Sequence, residues 1–320
     1  MDYSLLHRAE FPANKLLDLP KWDIFISAYN KSERVNEVFA KVVAAKKEWL
    51  VHPEYDFSVD ELPTTGETRV MTTRDEAEFW HEYFLMADVE SWPRDAAICV
   101  DSTGFMRPHL MLLPLLLRDR GFTRLHVLYA DPKAYQSGEK TPFTQGAVTE
   151  VRQVRGFEGT HVPDAGDNDL LVIGAGYDDE LIRRIAESKR AARKLEMFGL
   201  PSLQPHMYEE NRLQAAKAEE ALGPLPTRSF LFAPANDPFA TAQELHERLA
   251  DERVRGLANL YLSPLATKAQ TLGFALYYLC ECIGHAASMI FPYAEFYSRE
   301  TSIGLARVWL YELAFDWFMS

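Results

Sequence analysis

Short continuous apolar runs alternate with amphipathic stretches along most of this chain, and that alternation limits the folds open to it. The apolar runs fall at 23–28 (DIFISA), 48–52 (EWLVH), 96–100 (AAICV), 125–130 (LHVLYA) and 169–174 (DLLVIG). Further runs fall at 195–198, 230–233, 259–263 and 288–292. Helical periodicity predicts helices over 32–47, 75–88, 108–120, 179–192, 209–222, 240–252 and 267–282. A strand that is apolar at consecutive positions needs cover on both faces, the condition of a parallel sheet between helices. Strand, loop and helix repeated in this way predict an α/β, Rossmann-like fold. Its sheet is expected to be mostly parallel, with helices on both faces.

One segment breaks the rhythm. Residues 133–168 hold YQSGEKTPFTQ, AVTEVRQV and GFEGTHVPDAGDND, rich in Gly, Pro, Thr and charge. They read as a β-hairpin or flap inserted between an N-terminal α/β half (1–132) and a C-terminal half (169–320). Residues 96–121 and 258–279 share an order of strand, small polar loop and apolar helix, which fits two such halves.

The formal net charge of the 320 residues is −13, a poor basis for general nucleic-acid or anionic-membrane binding. The three cysteines, Cys99, Cys280 and Cys282, form no CxxC and suit a reducing compartment. The opening MDYSLLHRAEFPANKLLDLP lacks the apolar centre of a signal peptide, and no apolar run reaches the ~18 residues of a membrane span. The expected location is cytoplasmic.

Open α/β sheets bind ligands at the carboxyl ends of their strands, where helix N-termini present free N–H groups. After the first strand come Ser27, Asn30 and Glu33; after the third come Asp101, Ser102, Thr103, Gly104 and Arg107. Later strand ends carry Gly174 and Gly176, then Asn236 and Asp237, then Ser263, Thr267 and Lys268. Small and polar residues opening onto helices suit a phosphate, a nucleotide or another anion. A lysine in a first helical turn opposes the helix dipole unless an anion compensates it, so Lys268 is a candidate anion contact. Glu33, Asp101 and Asp237 are the candidate acid–base carboxylates should the ligand be cleaved. Capping and Asx turns are the competing reading of Asp101 and of the acidic pair after Gly176.

Several motifs are incomplete. IGAGYDDE lacks the third glycine of GxGxxG, and His81-Glu82 and His246-Glu247 lack the second histidine of HExxH. GxSxG, GxxxxGK[ST] and DxDxDG are absent. The sequence leaves the cofactor open. The closing RVWLYELAFDWFMS is dense in aromatic residues and reads as a surface that docks on its own domain or forms a subunit interface.

Two short resemblances follow from these residues. KWDIFISAYNKSERV (21–35) resembles the first strand and loop of Toll/interleukin-1 receptor domains, some of which cleave NAD with a glutamate; Glu61 is the nearest formal counterpart. VDSTGFMRPHL (100–110) and LSPLATKAQTLG (262–273) resemble the strand-end loops of CRISPR-associated Rossmann-fold sensor domains. The second resemblance implies Asp101, Ser102, Thr103, Thr267 and Lys268 as ligand contacts, although those sensors are single compact domains without a flap. Both imply nucleotide handling in bacterial antiviral defence.

The expected function is therefore intracellular binding of a nucleotide-like small molecule, with cleavage of a nucleotide or NAD left open, by a homo-oligomer or a protein with a partner at its aromatic C-terminus. The alternative is a non-catalytic subunit of a larger complex that uses the fold as an interaction scaffold. Membrane and nucleic acid are not expected partners.

Overall fold

The computed structural model describes residues 2–135, 144–163, 168–224, 228–299 and 302–318. The first strands are β1 (Arg8–Pro12), β2 (Trp22–Ala28), β3 (Ala44–Val51), β4 (Glu67–Val70), β5 (Ile98–Asp101) and β6 (Arg124–Tyr135). There follow β7 (Thr144–Gln153), β8 (Asp169–Gly174), β9 (Arg193–Gly199), β10 (Ser229–Ala233), β11 (Asn259–Pro264), β12 (Ala287–Tyr297) and β13 (Ser302–Ala314). The helices are α1 (Glu33–Lys41), α2 (Glu76–Met86), α3 (Arg107–Asp119), α4 (Asp179–Ser188), α5 (Met207–Lys217), α6 (Glu219–Leu222), α7 (Pro238–Val254) and α8 (Lys268–Glu281).

The strands form two mostly parallel sheets of seven and six strands, ordered β1-β13-β6-β5-β2-β3-β4 and β10-β9-β8-β11-β12-β7. The fold is α/β, as the alternation predicts. Consecutive residues are buried along β5 and β11, so both faces of each sheet are covered.

Numbered by appearance, the parallel strands β4-β3-β2-β5-β6 run 3-2-1-4-5. So do β10-β9-β8-β11-β12. In each sheet the chain reverses direction of travel between its first and fourth parallel strands, the switch point where ligands gather in such folds. The two segments of similar pattern, 96–121 and 258–279, both supply the fourth parallel strand and its helix, β5 with α3 and β11 with α8.

The chain divides into two compact units. One, the N-terminal unit, gathers residues 6–143 with 296–320; the other, the central unit, gathers 1–5 with 144–295. This differs from a cut at residues 132 and 168, for two reasons. Strand β13 lies antiparallel between β1 and β6 and so completes the N-terminal sheet. Strand β7 joins the central sheet beside β12, where Thr149 Oγ1 donates to the Tyr293 carbonyl and the Val154 N–H to Met289. Of the expected flap, residues 136–143 and 164–167 lie outside the described ones.

Helix α1 stops at Lys41, short of the predicted residue 47, because Val42 turns extended and Ala44 begins β3. Pairing with β2 overrides the helix-forming Lys46 and Lys47. The face of the N-terminal sheet under α1 holds Phe25, Trp49, Cys99 and Leu128 against Val35, Val38 and Phe39. Phe39 stacks on Trp49 at 3.6 Å between ring centroids. The aromatic residues Trp309, Tyr311 and Phe315 are buried. Among the described residues, no helix is long and apolar enough to cross a membrane.

Candidate functional site

In the N-terminal unit, β2 and β5 end side by side, Ser27 beside Asp101 in the register. Ser27 Oγ donates to Asp101 Oδ2 at 3.2 Å, and Asp101 Oδ1 accepts the Thr103 N–H at 3.0 Å. Asp101 is fully buried, and burial raises its carboxyl above the usual range against the pull of Thr103, Ser27 and Arg34. Ser102 Oγ donates to the Leu128 carbonyl at 2.7 Å, and Thr103 Oγ1 accepts from the Ala130 N–H at 3.0 Å. These hydroxyls stitch the loop after β5 to β6. Gly104 lies against Ala28, and its carbonyl accepts the Tyr55 hydroxyl at 2.8 Å.

Beside this seam stand two cations. Arg34, in the first turn of α1, is buried and donates to the Ala130 carbonyl at 2.5 Å. Arg107 opens α3 and is half-buried. Burial pushes the Tyr55 hydroxyl up to about 12, while the Asn30 side chain, Arg34 and Arg107 act in the opposite sense. The Glu54 carboxylate adds to the rise. Asn30 Oδ1 also accepts the Ser32 N–H at 2.9 Å, which turns the chain into α1. Glu33 faces out, and its Oε2 accepts the Gly304 N–H at 3.0 Å.

The central unit repeats the arrangement with different residues. The Gly174 carbonyl accepts the Leu265 N–H at 2.9 Å, and Gly176 packs on the Leu265 carbonyl. Ser263 is fully buried at the end of β11, and its hydroxyl has no hydrogen-bond partner among the described residues. Thr267 caps α8 by accepting the Gln270 N–H at 3.1 Å, and its hydroxyl donates to the Ala235 carbonyl. Lys268 is the first residue of α8 and half-buried. Asp237 caps α7, accepting from Phe239 and Ala240, and the half-buried Asn236 precedes it. The three candidate carboxylates do not meet within one unit: Glu33 and Asp101 belong to the N-terminal unit, Asp237 to the central one.

A third group had no motif to announce it. His52 follows β3, Glu54 lies in the short 3-10 turn after it, and His109 lies in the first turn of α3. All three are buried at the same edge of the sheet as the arginines. Burial pushes Glu54 up to about 7; its own backbone N–H and Arg74 act the other way, and Glu76 adds to the rise. The sequence signal is only a histidine and a glutamate two apart after an apolar run.

A cavity of about 790 Å³ lies elsewhere, at the amino ends of β8, β9 and β10. Several of its charges pair with one another: Glu252 with Arg193 at 2.7 Å and Arg248 at 2.8 Å, Glu187 with Arg183 at 2.8 Å. It occupies the edge opposite the strand-end loops.

No protein-family model and no curated protein matches this chain. Among solved structures the chain is similar to CobK precorrin-6A reductase, with 14% identity over 83% of this chain and 86% of that one, at a TM-score of 0.24. The fold assignment rests on strand order and register, not on that likeness.

Proposed function

We propose that this protein binds a nucleotide-like anion at the carboxyl edge of its parallel sheets, with the principal site at the β2/β5 switch point of the N-terminal unit. The observation that supports this reading is the meeting of the loops after β2 and β5, Ser27 beside Asp101 in the register, with Arg34 in the first turn of α1 and Arg107 at the start of α3. Arg34 and Arg107 would hold phosphate, and Asn30 a base edge or ribose hydroxyl. Lys268 with Thr267, Ser263 and Asn236 would form the equivalent site of the central unit. Binding is favoured over cleavage because Asp101 and Asp237 hold backbone N–H groups and Glu33 is exposed. A part in antiviral defence and a cytoplasmic location extend the reading through the two short resemblances and the cysteine pattern.

The test is a thermal-shift screen against mononucleotides, dinucleotides and cyclic oligonucleotides, with mass analysis of the same wells. A ligand at a hundred times its dissociation constant adds about 2.7 kcal/mol of stability. Loss of the shift in Arg107→Ala but not Lys268→Ala would place the ligand in the N-terminal unit. No shift with any compound, together with no heat of binding by calorimetry, would leave the scaffold-subunit alternative in its place.

A further inference from the structure

We propose that His52, Glu54 and His109 bind one first-row divalent metal ion, zinc being the ion that best suits the set. Each side chain offers one donor atom, and these atoms all lie within 4.8 Å of one another. His52 Nδ1 and Glu54 Oε2 are 3.8 Å apart, too far for a hydrogen bond. Two ligands of a tetrahedral ion with bonds of ~2.0–2.1 Å stand about 3.4 Å apart, so a small side-chain adjustment closes this pair on a metal. Glu54 Oε2 is buried and has no hydrogen-bond partner among the described residues. A carboxylate oxygen enclosed in this way needs a cation or a donor.

The surroundings hold the ligands in place. The His52 ring stacks on Phe79 at 4.5 Å, and the edge of the same phenyl group meets His109 at 4.5 Å. The Trp80 indole N–H donates to the His109 carbonyl at 2.9 Å. An apolar shell of this kind restricts ring motion and limits solvent access to the site. Two imidazole nitrogens favour zinc and its first-row neighbours over calcium or magnesium, which prefer oxygen. Three protein ligands leave one tetrahedral position for a water or a ligand atom. The site needs no nucleotide, so it stands or falls apart from the function proposed above.

The experiment takes the full chain, dialysed against a chelator, and titrates it with Co²⁺ and then Zn²⁺. We expect one ion per chain, visible d–d absorption with Co²⁺, and its loss when Zn²⁺ displaces the probe. His109→Asn and Glu54→Gln should each weaken binding more than about a hundredfold. His81→Asn, on the exposed side of α2, should change nothing. Absence of one-to-one binding in the unaltered protein overturns the site, as does tight binding that survives both ligand substitutions. Should His109→Asn not fold, the near-isosteric Glu54→Gln decides.

Discussion

Gly104 approaches Ala28 so closely that a Cβ at residue 104 would stand 2.0 Å from the Ala28 carbonyl oxygen. The loop after β5 can therefore lie on the end of β2 only if residue 104 has no side chain. Gly104→Ala should cost about 3 kcal/mol or more in urea unfolding, since backbone rather than a flexible side chain must move. Gly121 provides the contrast. Its surroundings are open and its φ is +79°, so Gly121→Ala should cost only about 1 kcal/mol.

Glu196 on β9 and Arg228 just before β10 form a bidentate ion pair, and both are buried. Removing one partner strands a charge away from water. Arg228→Met alone and Glu196→Leu alone should each lose about 3–5 kcal/mol, whereas the double substitution should lie near the parent. A double-mutant cycle by chemical denaturation measures the coupling.

Asp131 follows Ala130 in β6, and burial pushes its carboxyl up to about 6 despite Arg307 and Arg34; Glu10 adds to the rise. An unfolded aspartate titrates near 3.9, so between these values the folded state holds the proton that the unfolded state has released. Stability from this group is complete below about pH 4 and is lost as pH rises through about 6, by up to about 3 kcal/mol. Asp131→Asn should flatten that fall when unfolding free energy is followed from pH 4 to 7.

Asp237 separates capping from chemistry. An asparagine keeps the oxygen that accepts the Phe239 and Ala240 N–H groups, and an alanine does not. Asp237→Ala should lower stability by about 1 kcal/mol, and Asp237→Asn by a few tenths. A stable Asp237→Asn protein that binds ligand but has lost turnover would assign the carboxylate a catalytic role instead.

Where local pattern decides, the fold was legible. The run DLLVIG predicts β8 at residues 169–174, the span it occupies. Strand β4, with its sequence ETRV, has no apolar signature and is a strand because β3 presents an edge to it. Strand β13 reads as an aromatic tail, because nothing local says that Ser302–Ala314 returns between β1 and β6. The loops after β2 and β5 were legible as a group, since strand ends in such sheets come together. What Ser102 and Thr103 do there was not, since a hydroxyl that bonds β6 looks like one that awaits a ligand. The group of His52, Glu54 and His109 escaped because its members come from the turn after β3 and the first turn of α3, far apart in the chain, and only the parallel pairing of β2 with β3 and β5 unites them.

The position of β13 also ties closure of the N-terminal sheet to a strand that follows the whole central unit in sequence. Strands β7 to β12 all lie between β6 and β13 in sequence, yet β13 is the partner that stands between β1 and β6. Without Ser302–Ala314 in place, β6 carries an open edge of unpaired N–H and C=O groups. The N-terminal sheet thus cannot close from local contacts alone, and any state that lacks β13 exposes an edge that aggregation would exploit.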